Sequence, residues 1–128
     1  MKTAFAAFDH GALRLPEREK DFGSVPWSPH PAFQGVELKH LLTGADTGGR
    51  FSYHLVRIAP DCAIGDHIHQ TQWETHEVVA GTGTCVNGGA ALGYEPGVIS
   101  WFPAGVSHAV YAGADGLRLL AKFFPPLC

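Results

Sequence analysis

The stretch GDHIHQTQWE at residues 65–74 carries two histidines and a glutamate close together. Side chains two residues apart on a β-strand point to the same face of the sheet. His67 and His69 would therefore present two imidazoles side by side, and both rings can turn toward one metal ion. Glu74 follows after a short connection and can supply an oxygen ligand from the next strand. The HxH pair alone is weak evidence, because surface or core histidines without a metal are the simpler explanation.

A third histidine, His108, opens a later apolar run, directly after the turn-forming sequence PAGVS at residues 103–107. In an antiparallel sheet, the strand that begins at His108 can lie across from the strand that carries His67. Three imidazole nitrogens and one carboxylate oxygen suit a divalent Fe, Mn, Ni, Cu or Zn ion. Calcium is a poor match because it prefers oxygen ligands.

Short apolar or alternating runs separated by turn residues extend over most of the chain. The predicted strands cover residues 36–42, 51–59, 66–69, 75–80, 84–86, 90–92, 98–102, 108–111 and 117–124. Many of the 16 glycines and 9 prolines lie between these runs, and Asn87-Gly88 is a strong signal for a tight hairpin. About nine short strands without a convincing helix predict an all-β sandwich or barrel.

Residues 1–35 show no sustained period and contain the proline-rich stretch LPEREKDFGSVPWSPHPAF at residues 15–33. One helical turn is predicted around Pro16–Lys20, since proline favours the first position of a helix. Phe22, Trp27 and Phe33 would be costly to leave in water. We therefore expect an irregular arm that packs on its own barrel or on a neighbouring subunit. Such an arm favours a homodimer, the commonest symmetric assembly.

Two spaced motifs resemble those of the cupin family, whose members are jelly-roll proteins. The first family motif, G-x5-H-x-H-x3,4-E-x6-G, is matched by His67, His69, Glu74 and Gly81, with Asp61 in place of the leading glycine. The second, G-x5-P-x-G-x2-H-x3-N, is matched by Gly97, Pro103, Gly105 and His108, with Ala112 in place of the asparagine. The short stretch between the motifs, residues 82–96, looks like that of the compact microbial cupins.

The resemblance covers about residues 36–124 and implies an all-β fold. We expect a single-domain jelly-roll β-barrel over residues 36–128, preceded by the irregular arm of residues 1–35. The resemblance also implies that the family's four metal ligands are His67, His69, Glu74 and His108. Neither departure from the motifs falls on one of these ligands, and both concern the local backbone.

A cupin-like site implies one divalent transition metal ion and a small-molecule ligand. We expect a small metal-dependent enzyme, of the dioxygenase or isomerase type, that acts on a small oxygenated molecule. A lyase is a related option, and a dioxygenase would make the protein an oxidoreductase. If Glu74 points inward, the alternation of a strand points His76 inward too. His76 is therefore the candidate catalytic acid or base, with a substrate contact or a supporting role as the other options.

Two alternatives to an enzyme stay open at this stage. The first is a non-catalytic module that binds or senses a sugar or another effector. The second is a purely structural barrel that serves as an assembly unit. Ligand binding that is independent of metal would favour the binding module.

Charge and composition exclude several other classes of protein. The net charge is −3 and only 16% of residues are charged, so the basic excess of a nucleic-acid binder or of a polybasic membrane patch is missing. There is no apolar run long enough to span a bilayer, and the interrupted sequence MKTAFAAFDH does not resemble a secretory signal. We therefore expect a cytoplasmic protein. The three cysteines form neither a disulfide framework nor a metal knuckle, which favours buried thiols.

The lining of the ligand pocket depends on which side chains of strand 51–59, and which of the nearby aromatic side chains, point inward. On strand 51–59, either Tyr53 and Arg57 point inward and can hold an anionic substrate, or His54 points inward and enters the pocket. The sequence leaves this choice open, and an exposed or interface role for each of these polar residues is the simpler expectation. Among the aromatic residues, Trp101, Phe102 and Tyr111 are expected in the core. Trp73, next to Glu74, is expected on the opposite face, as a packing or interface residue.

Overall fold

The structure, a computed structural model, describes residues 3–128, which contain ten β-strands, two short α-helices and one 3₁₀ turn at Phe22–Ser24. The strands are β1 (Ala12–Arg14), β2 (Glu19–Asp21), β3 (Ser28–Pro29), β4 (Val36–Leu42), β5 (Ser52–Ile58), β6 (Ala63–His67), β7 (Trp73–Asn87), β8 (Ala90–Tyr94), β9 (Ile99–Phe102) and β10 (His108–Phe124). The helices are α1 (Ala4–Asp9) and α2 (Gly44–Thr47). Neither is long or apolar enough, among these described residues, to cross a membrane.

Eight strands form one antiparallel sheet whose two longest members, β7 and β10, each belong to two layers. The first part of β10 pairs with β6 and with the end of β7, whereas its second part pairs with β5 and with the start of β7. The β4 and β3 strands extend the sheet beyond β5, and β8 and β9 pair with opposite ends of β7. One buried core joins residues of both layers, including Val56 of β5 and Ile64 of β6. The predicted all-β jelly-roll class is confirmed, although β3 and β8 are left as edges of the described sheet.

Glycines allow β7 and β10 to bend past each other without a break in either strand. Gly81 has a φ of 81°, and a Cβ placed on it would lie 2.2 Å from the carbonyl oxygen of Gly116. An L-residue is disfavoured in this conformation, and no side chain fits in this space. The pairing of the two strands shifts register between Ala112 and Leu117, opposite this point.

These bends explain the main error in the predicted strand boundaries. The predicted pair 75–80 and 84–86 is the single strand β7, and the predicted pair 108–111 and 117–124 is the single strand β10. Glycine signals a turn in a sequence, but here it marks a bulge at which the strand continues. The predicted hairpin is present between β7 and β8, with Gly88-Gly89 at its centre, both at positive φ.

The segment predicted to be irregular contains α1 and a small hairpin of β1 and β2. The helical turn predicted at Pro16–Lys20 is wrong, since Pro16-Glu17 forms the hairpin bend and Leu15 N–H donates to the Arg18 carbonyl oxygen at 2.8 Å. Helix α1 was also not predicted. It begins after Thr3, whose hydroxyl accepts a hydrogen bond from the Ala6 N–H at 3.1 Å, as N-capping threonines do.

This segment covers the outer face of its own sheet. Phe22 packs with Leu41, Leu55 and Leu120 in a second core, against which Phe5, Leu13 and Trp27 also rest. Lys39 is buried beneath the segment, where it pairs with the Asp9 carboxylate and donates to the Asp9 and Phe22 carbonyl oxygens at 2.8 Å each. The ammonium group is thus fully satisfied by the segment that covers it. Exchange of the segment between subunits stays a prediction.

The surface carries several aromatic side chains that the sequence assigns to the core. Trp101 is 56% exposed and Tyr111 is 47% exposed, so that prediction is wrong for both, whereas Phe102 is buried. Adjacent residues of β9 point to opposite faces, so Phe102 faces the core and Trp101 faces solvent. Trp73 is exposed, as expected, and lies edge-on to Trp101 at 6.1 Å between ring centroids. The prediction of buried thiols holds for Cys85 and fails for Cys128, which is exposed.

Candidate metal centre

The four residues implied as ligands meet at one point in the interior. His67 ends β6, His69 lies in the loop that follows, Glu74 is the second residue of β7, and His108 begins β10. One ligand atom from each lies within 4.8 Å of the others. The pairing of strands explains part of this arrangement, because His108 lies directly opposite His67 in the β6–β10 pair.

The glutamate lies at the middle of the group. Its Oε1 atom is 3.0 Å from His108 Nε2 and 3.2 Å from His69 Nε2. The ring centroids of His67 and His108 are 4.2 Å apart, and those of His67 and His69 are 4.9 Å apart. Glu74 and His108 are almost completely buried, whereas His67 and His69 are partly exposed. The cluster is therefore reached from the side on which His67 and His69 lie.

Backbone carbonyl groups orient two of the rings. His67 Nδ1 lies 2.7 Å from the Gly65 carbonyl oxygen, and His108 Nδ1 lies 3.2 Å from the Val106 carbonyl oxygen. A carbonyl oxygen can only accept, so each ring donates from Nδ1 and turns its Nε2 toward the cluster. Nε2 is thus the ring nitrogen that a metal ion would meet, and such outer contacts commonly orient ligating histidines. Burial lowers the pKa of His67, which keeps this ring neutral.

The second oxygen of Glu74 is held by His76. Glu74 Oε2 lies 2.7 Å from His76 Nε2, and His76 Nδ1 lies 3.0 Å from the Tyr94 hydroxyl. Burial raises the pKa of Tyr94, so the hydroxyl keeps its proton and can donate it to His76. Burial opposes the charge on Glu74, but His76 and the hydrogen bonds from the surrounding histidines hold the pKa of Glu74 well below its usual value. Glu74 is thus an ionised candidate ligand, with Oε1 among the other candidate ligands and Oε2 anchored by His76.

These residues fit a divalent transition metal ion. Three imidazole nitrogens and a carboxylate oxygen are the donor set that such ions accept, and each ring nitrogen facing the centre can offer a lone pair. Glu74 is the only carboxylate in the group, so the donors do not suit calcium. The structure therefore brings together His67, His69, Glu74 and His108, with His76 directly behind Glu74.

A mostly apolar cavity of about 300 Å³ opens next to the cluster. Its polar lining consists of histidines and Glu74, and no lysine or arginine among the described residues lines it. The apolar wall is formed by Ala32, Phe33, Val36, Leu38, Val56, Ile64, Ile68, Ala121, Phe123 and Leu127. Phe33 belongs to the segment before β4, so the predicted arm contributes directly to the cavity.

Strand β5 turns its Ser52, His54, Val56 and Ile58 face inward. The hypothesis that Tyr53 and Arg57 bind an anionic substrate in the pocket is therefore wrong. Arg57 stacks on Trp27 at 4.0 Å and pairs with Glu37 at 2.9 Å on the outer side. His54 points inward but does not line the cavity; Phe123 contacts both His54 and His69, with centroid distances of 5.6 and 5.4 Å.

Tyr94 is a site residue that the sequence did not predict. The predicted strand 90–92 ends before it, whereas β8 continues to Tyr94 and pairs it with Gly83. Leu92 and Tyr94 share a face by strand alternation. A predicted strand two residues longer would have placed Tyr94 on the same inward face as Leu92, and so identified it as a site residue.

Comparisons with known proteins agree with this geometry. The sequence model of a family described as Cupin domain matches residues 54–121, which include all four candidate ligands. A predicted oxalate decarboxylase from Thermotoga maritima superposes with a TM-score of 0.74 at 19% identity, over 80% of this chain and 95% of that one. An RmlC-like cupin from Shewanella frigidimarina superposes with a TM-score of 0.72 at 15% identity, over 83% and 88% of the two chains.

A third structural relative is the polyketide cyclase RemF from Streptomyces resistomycificus. Its TM-score is 0.69 at 20% identity, over 80% of this chain and 75% of that one. At such identities the likeness shows a shared fold and no shared activity. No curated protein matches the chain by sequence.

Proposed function

Because the chain belongs to the cupin domain family, we propose that it is a metal-dependent enzyme acting on a small oxygenated molecule. The proposed ligands are His67, His69, Glu74 and His108, around one divalent Fe, Mn, Ni, Cu or Zn ion. The observation that carries the proposal is that four ligand atoms within 4.8 Å of one another adjoin an apolar cavity of about 300 Å³. A cavity of this size accepts a small organic molecule.

A divalent ion in this position would polarise a carbonyl, enol or hydroxyl oxygen of the substrate. The surrounding residues prepare the site for that role. Glu74 is kept in one orientation by His76, and a bound ion would balance its negative charge. The apolar walls hold the body of the substrate and exclude water, which strengthens the electrostatic interactions inside.

The cavity favours a particular class of substrate. A divalent ion with the ionised Glu74 leaves one net positive charge, and no lysine or arginine among the described residues lines the wall to add another. A neutral molecule or a singly charged anion with an apolar body therefore fits better than a small dianion, since an unpaired buried charge is costly. The oxalate chemistry in the printed name of the Thermotoga relative is not proposed for this chain for that reason.

We propose His76 as the residue that exchanges protons next to the substrate, while it also positions Glu74. Its two ring nitrogens link the Glu74 carboxylate to the Tyr94 hydroxyl, at 2.7 and 3.0 Å. A proton can pass along this line without the entry of water. A dioxygenase or an isomerase could each use such a group beside the reacting carbon or oxygen.

A binding experiment tests the proposed function. The probes are catechol, which has an apolar ring and two hydroxyl groups, and oxalate, a small dianion. Isothermal titration is done with protein loaded with Mn²⁺ and with metal-free protein. We expect catechol to bind the loaded protein at least tenfold more tightly than the metal-free protein, and more tightly than oxalate. Equal binding of catechol with and without metal would instead indicate a non-catalytic binding module.

A second arm of the experiment separates an oxygenase from an isomerase. Dioxygen consumption is followed after Fe²⁺ loading in the presence of catechol and of other neutral phenols or enols. Uptake that requires the loaded site supports the dioxygenase type. Conversion of an enol or ketone without dioxygen uptake supports the isomerase type.

The proposed assembly is a homodimer. Trp73, Ile99 and Trp101 are each more than half exposed on the outer face of β7 and β9, and apolar surface of this kind is typical of an interface. Sedimentation velocity at low protein concentration tests the assembly. A monomer at all concentrations would refute it.

A further inference from the structure

A second group of metal-binding side chains lies away from the candidate metal centre. His40 of β4, His54 of β5 and Cys128 each place one ligand atom within 4.8 Å of the others. His40 Nδ1 and His54 Nδ1 are 2.8 Å apart, with their rings at 89° to each other. This group shares no residue with the candidate metal centre.

The inner histidine is already held in a ligating orientation. His54 is completely buried, and its Nε2 lies 2.7 Å from the Ser52 hydroxyl. The same hydroxyl accepts a hydrogen bond from Leu127 N–H at 2.8 Å. Because a hydroxyl can accept two hydrogen bonds, His54 can carry its proton on Nε2 and direct the lone pair of Nδ1 toward His40. Burial lowers the pKa of His54 to about 3, so the ring is neutral at ordinary pH.

The cysteine is held beside the two rings by backbone contacts. Gly44 N–H donates to the Cys128 carbonyl oxygen at 2.7 Å, and the side chain of Gln72 donates to the Pro126 carbonyl oxygen at 2.9 Å. Together with the hydrogen bond from Leu127 N–H to Ser52, each of residues 126–128 is thus held by one hydrogen bond to another part of the chain. Cys128 is exposed, so an ion can reach the sulfur from solvent and keep a water molecule as a further ligand.

We propose that His40, His54 and Cys128 form a second metal site, which takes a zinc-class ion. Two imidazole nitrogens and a thiolate are ligands that Zn²⁺ prefers, with one position left for water in a tetrahedral geometry. Bonds of about 2.05 Å at a tetrahedral angle place two nitrogens about 3.3 Å apart, so a small rotation of the rings from 2.8 Å admits the ion. On metal binding the Cys128 proton is released to solvent, and the His40 proton moves from Nδ1, where it is donated to His54, to Nε2, so that both Nδ1 atoms offer a lone pair to the ion.

The charges around the site allow a cation. The positive charge of Lys20 acts on Cys128, and this charge is paired with Asp46 at 2.7 Å. Burial raises the pKa of the Cys128 thiol, so without a metal the sulfur is a thiol rather than a reactive thiolate. Thiolate ligation will therefore be a clear sign of metal binding.

Cobalt binding tests this proposal. Co²⁺ is titrated into reduced full-length protein in which His67→Ala and His108→Ala disable the candidate metal centre. We expect about one Co²⁺ per chain and a thiolate-to-cobalt charge-transfer band in the near ultraviolet. Cys128→Ser should abolish the band, His40→Ala should weaken Co²⁺ binding at least tenfold, and one equivalent of Zn²⁺ should displace the cobalt.

Cys62→Ser is the matched control, because Cys62 is a partly exposed thiol outside the group. It should leave the band unchanged. A band that depends on Cys62, or the absence of any band from protein with a titratable Cys128 thiol, would overturn the proposal. If the double variant does not fold, Cys128→Ser and Cys62→Ser are compared in otherwise unaltered protein. The Cys62→Ser protein should then bind one more cobalt ion per chain than the Cys128→Ser protein. This outcome does not depend on whether the proposed enzyme function is correct.

Discussion

Replacement of Gly81 by alanine tests how the fold brings β7 and β10 together at their bend. Gly81 is in the left-handed region, and a Cβ there would lie 2.2 Å from the Gly116 carbonyl oxygen and 3.0 Å from the Leu117 Cα atom. Both neighbours are backbone atoms of a paired strand and cannot rotate away. The substitution therefore combines an unfavourable φ with a collision between two main chains.

The expected loss of stability follows from these two terms. A left-handed conformation costs an L-residue about 1–2 kcal/mol, and an added methyl group in a packed site costs about 1–3 kcal/mol. Gly81→Ala should thus lower the free energy of unfolding by about 2–5 kcal/mol. For a chain of 128 residues, an unfolding entropy of about 2.1 cal/mol/K per residue converts this into a Tm about 7–19 °C lower.

Urea unfolding followed by circular dichroism measures this loss. Gly93→Ala is the matched control, since Gly93 also lies in a strand but has no atom within 4 Å of a Cβ and no positive φ. The control should change stability by no more than about 0.5 kcal/mol, as exposed substitutions usually do. A loss of less than 1 kcal/mol for Gly81→Ala, or equal effects of the two substitutions, would refute the account of the bend.

Three further predictions concern buried polar groups. His76→Ala frees one oxygen of Glu74, so metal affinity should fall about 10–100-fold while saturating metal still fills the site; unchanged affinity in a metal titration would contradict the positioning role. The pKa of His54 is about 3 in the folded protein, against 6.5 in the unfolded chain. Its titration leaves stability unchanged above pH 6.5, and below pH 6.5, where only the unfolded chain binds the proton, stability falls by about 1.4 kcal/mol per pH unit as the pH drops toward 3, so His54→Gln should make stability less dependent on pH between 7 and 5. An identical slope in urea titrations would contradict this. Lys39→Met leaves Asp9 without its buried cation and should cost about 3–5 kcal/mol, with earlier proteolysis within residues 3–35; unchanged digestion would show that this ion pair does not hold the segment.

The pattern of short runs and turns was sufficient for the all-β class, and the resemblance to the two cupin motifs implied the four candidate ligands. The position of His76 followed from strand alternation, because His76 and Glu74 lie on a regular part of β7 and both point inward. Alternation also placed Trp73 on the outside. These features depend on a local period, which is present in the sequence itself.

Features that depend on contacts between distant residues were not predicted. Whether Gly81 ends a strand or bends it is decided by Gly116, which lies far along the chain. The burial of Lys39 depends on Asp9, and the outward position of Trp101 depends on which face of β9 meets the core. Local sequence patterns carry no information on contacts between distant residues, so most of the wrong predictions concern features that depend on such contacts.

The central claim is that His67, His69, Glu74 and His108 hold one divalent transition metal ion. The most direct test is the metal content of purified protein by elemental analysis, before and after incubation with Fe, Mn, Ni, Cu and Zn salts. The control carries His67→Ala and His108→Ala, with Cys128→Ser in both proteins so that the second proposed site does not contribute. We predict about one ion per chain in the parent and essentially none in the control. Equal metal content in the two proteins, or none after every incubation, would contradict the claim.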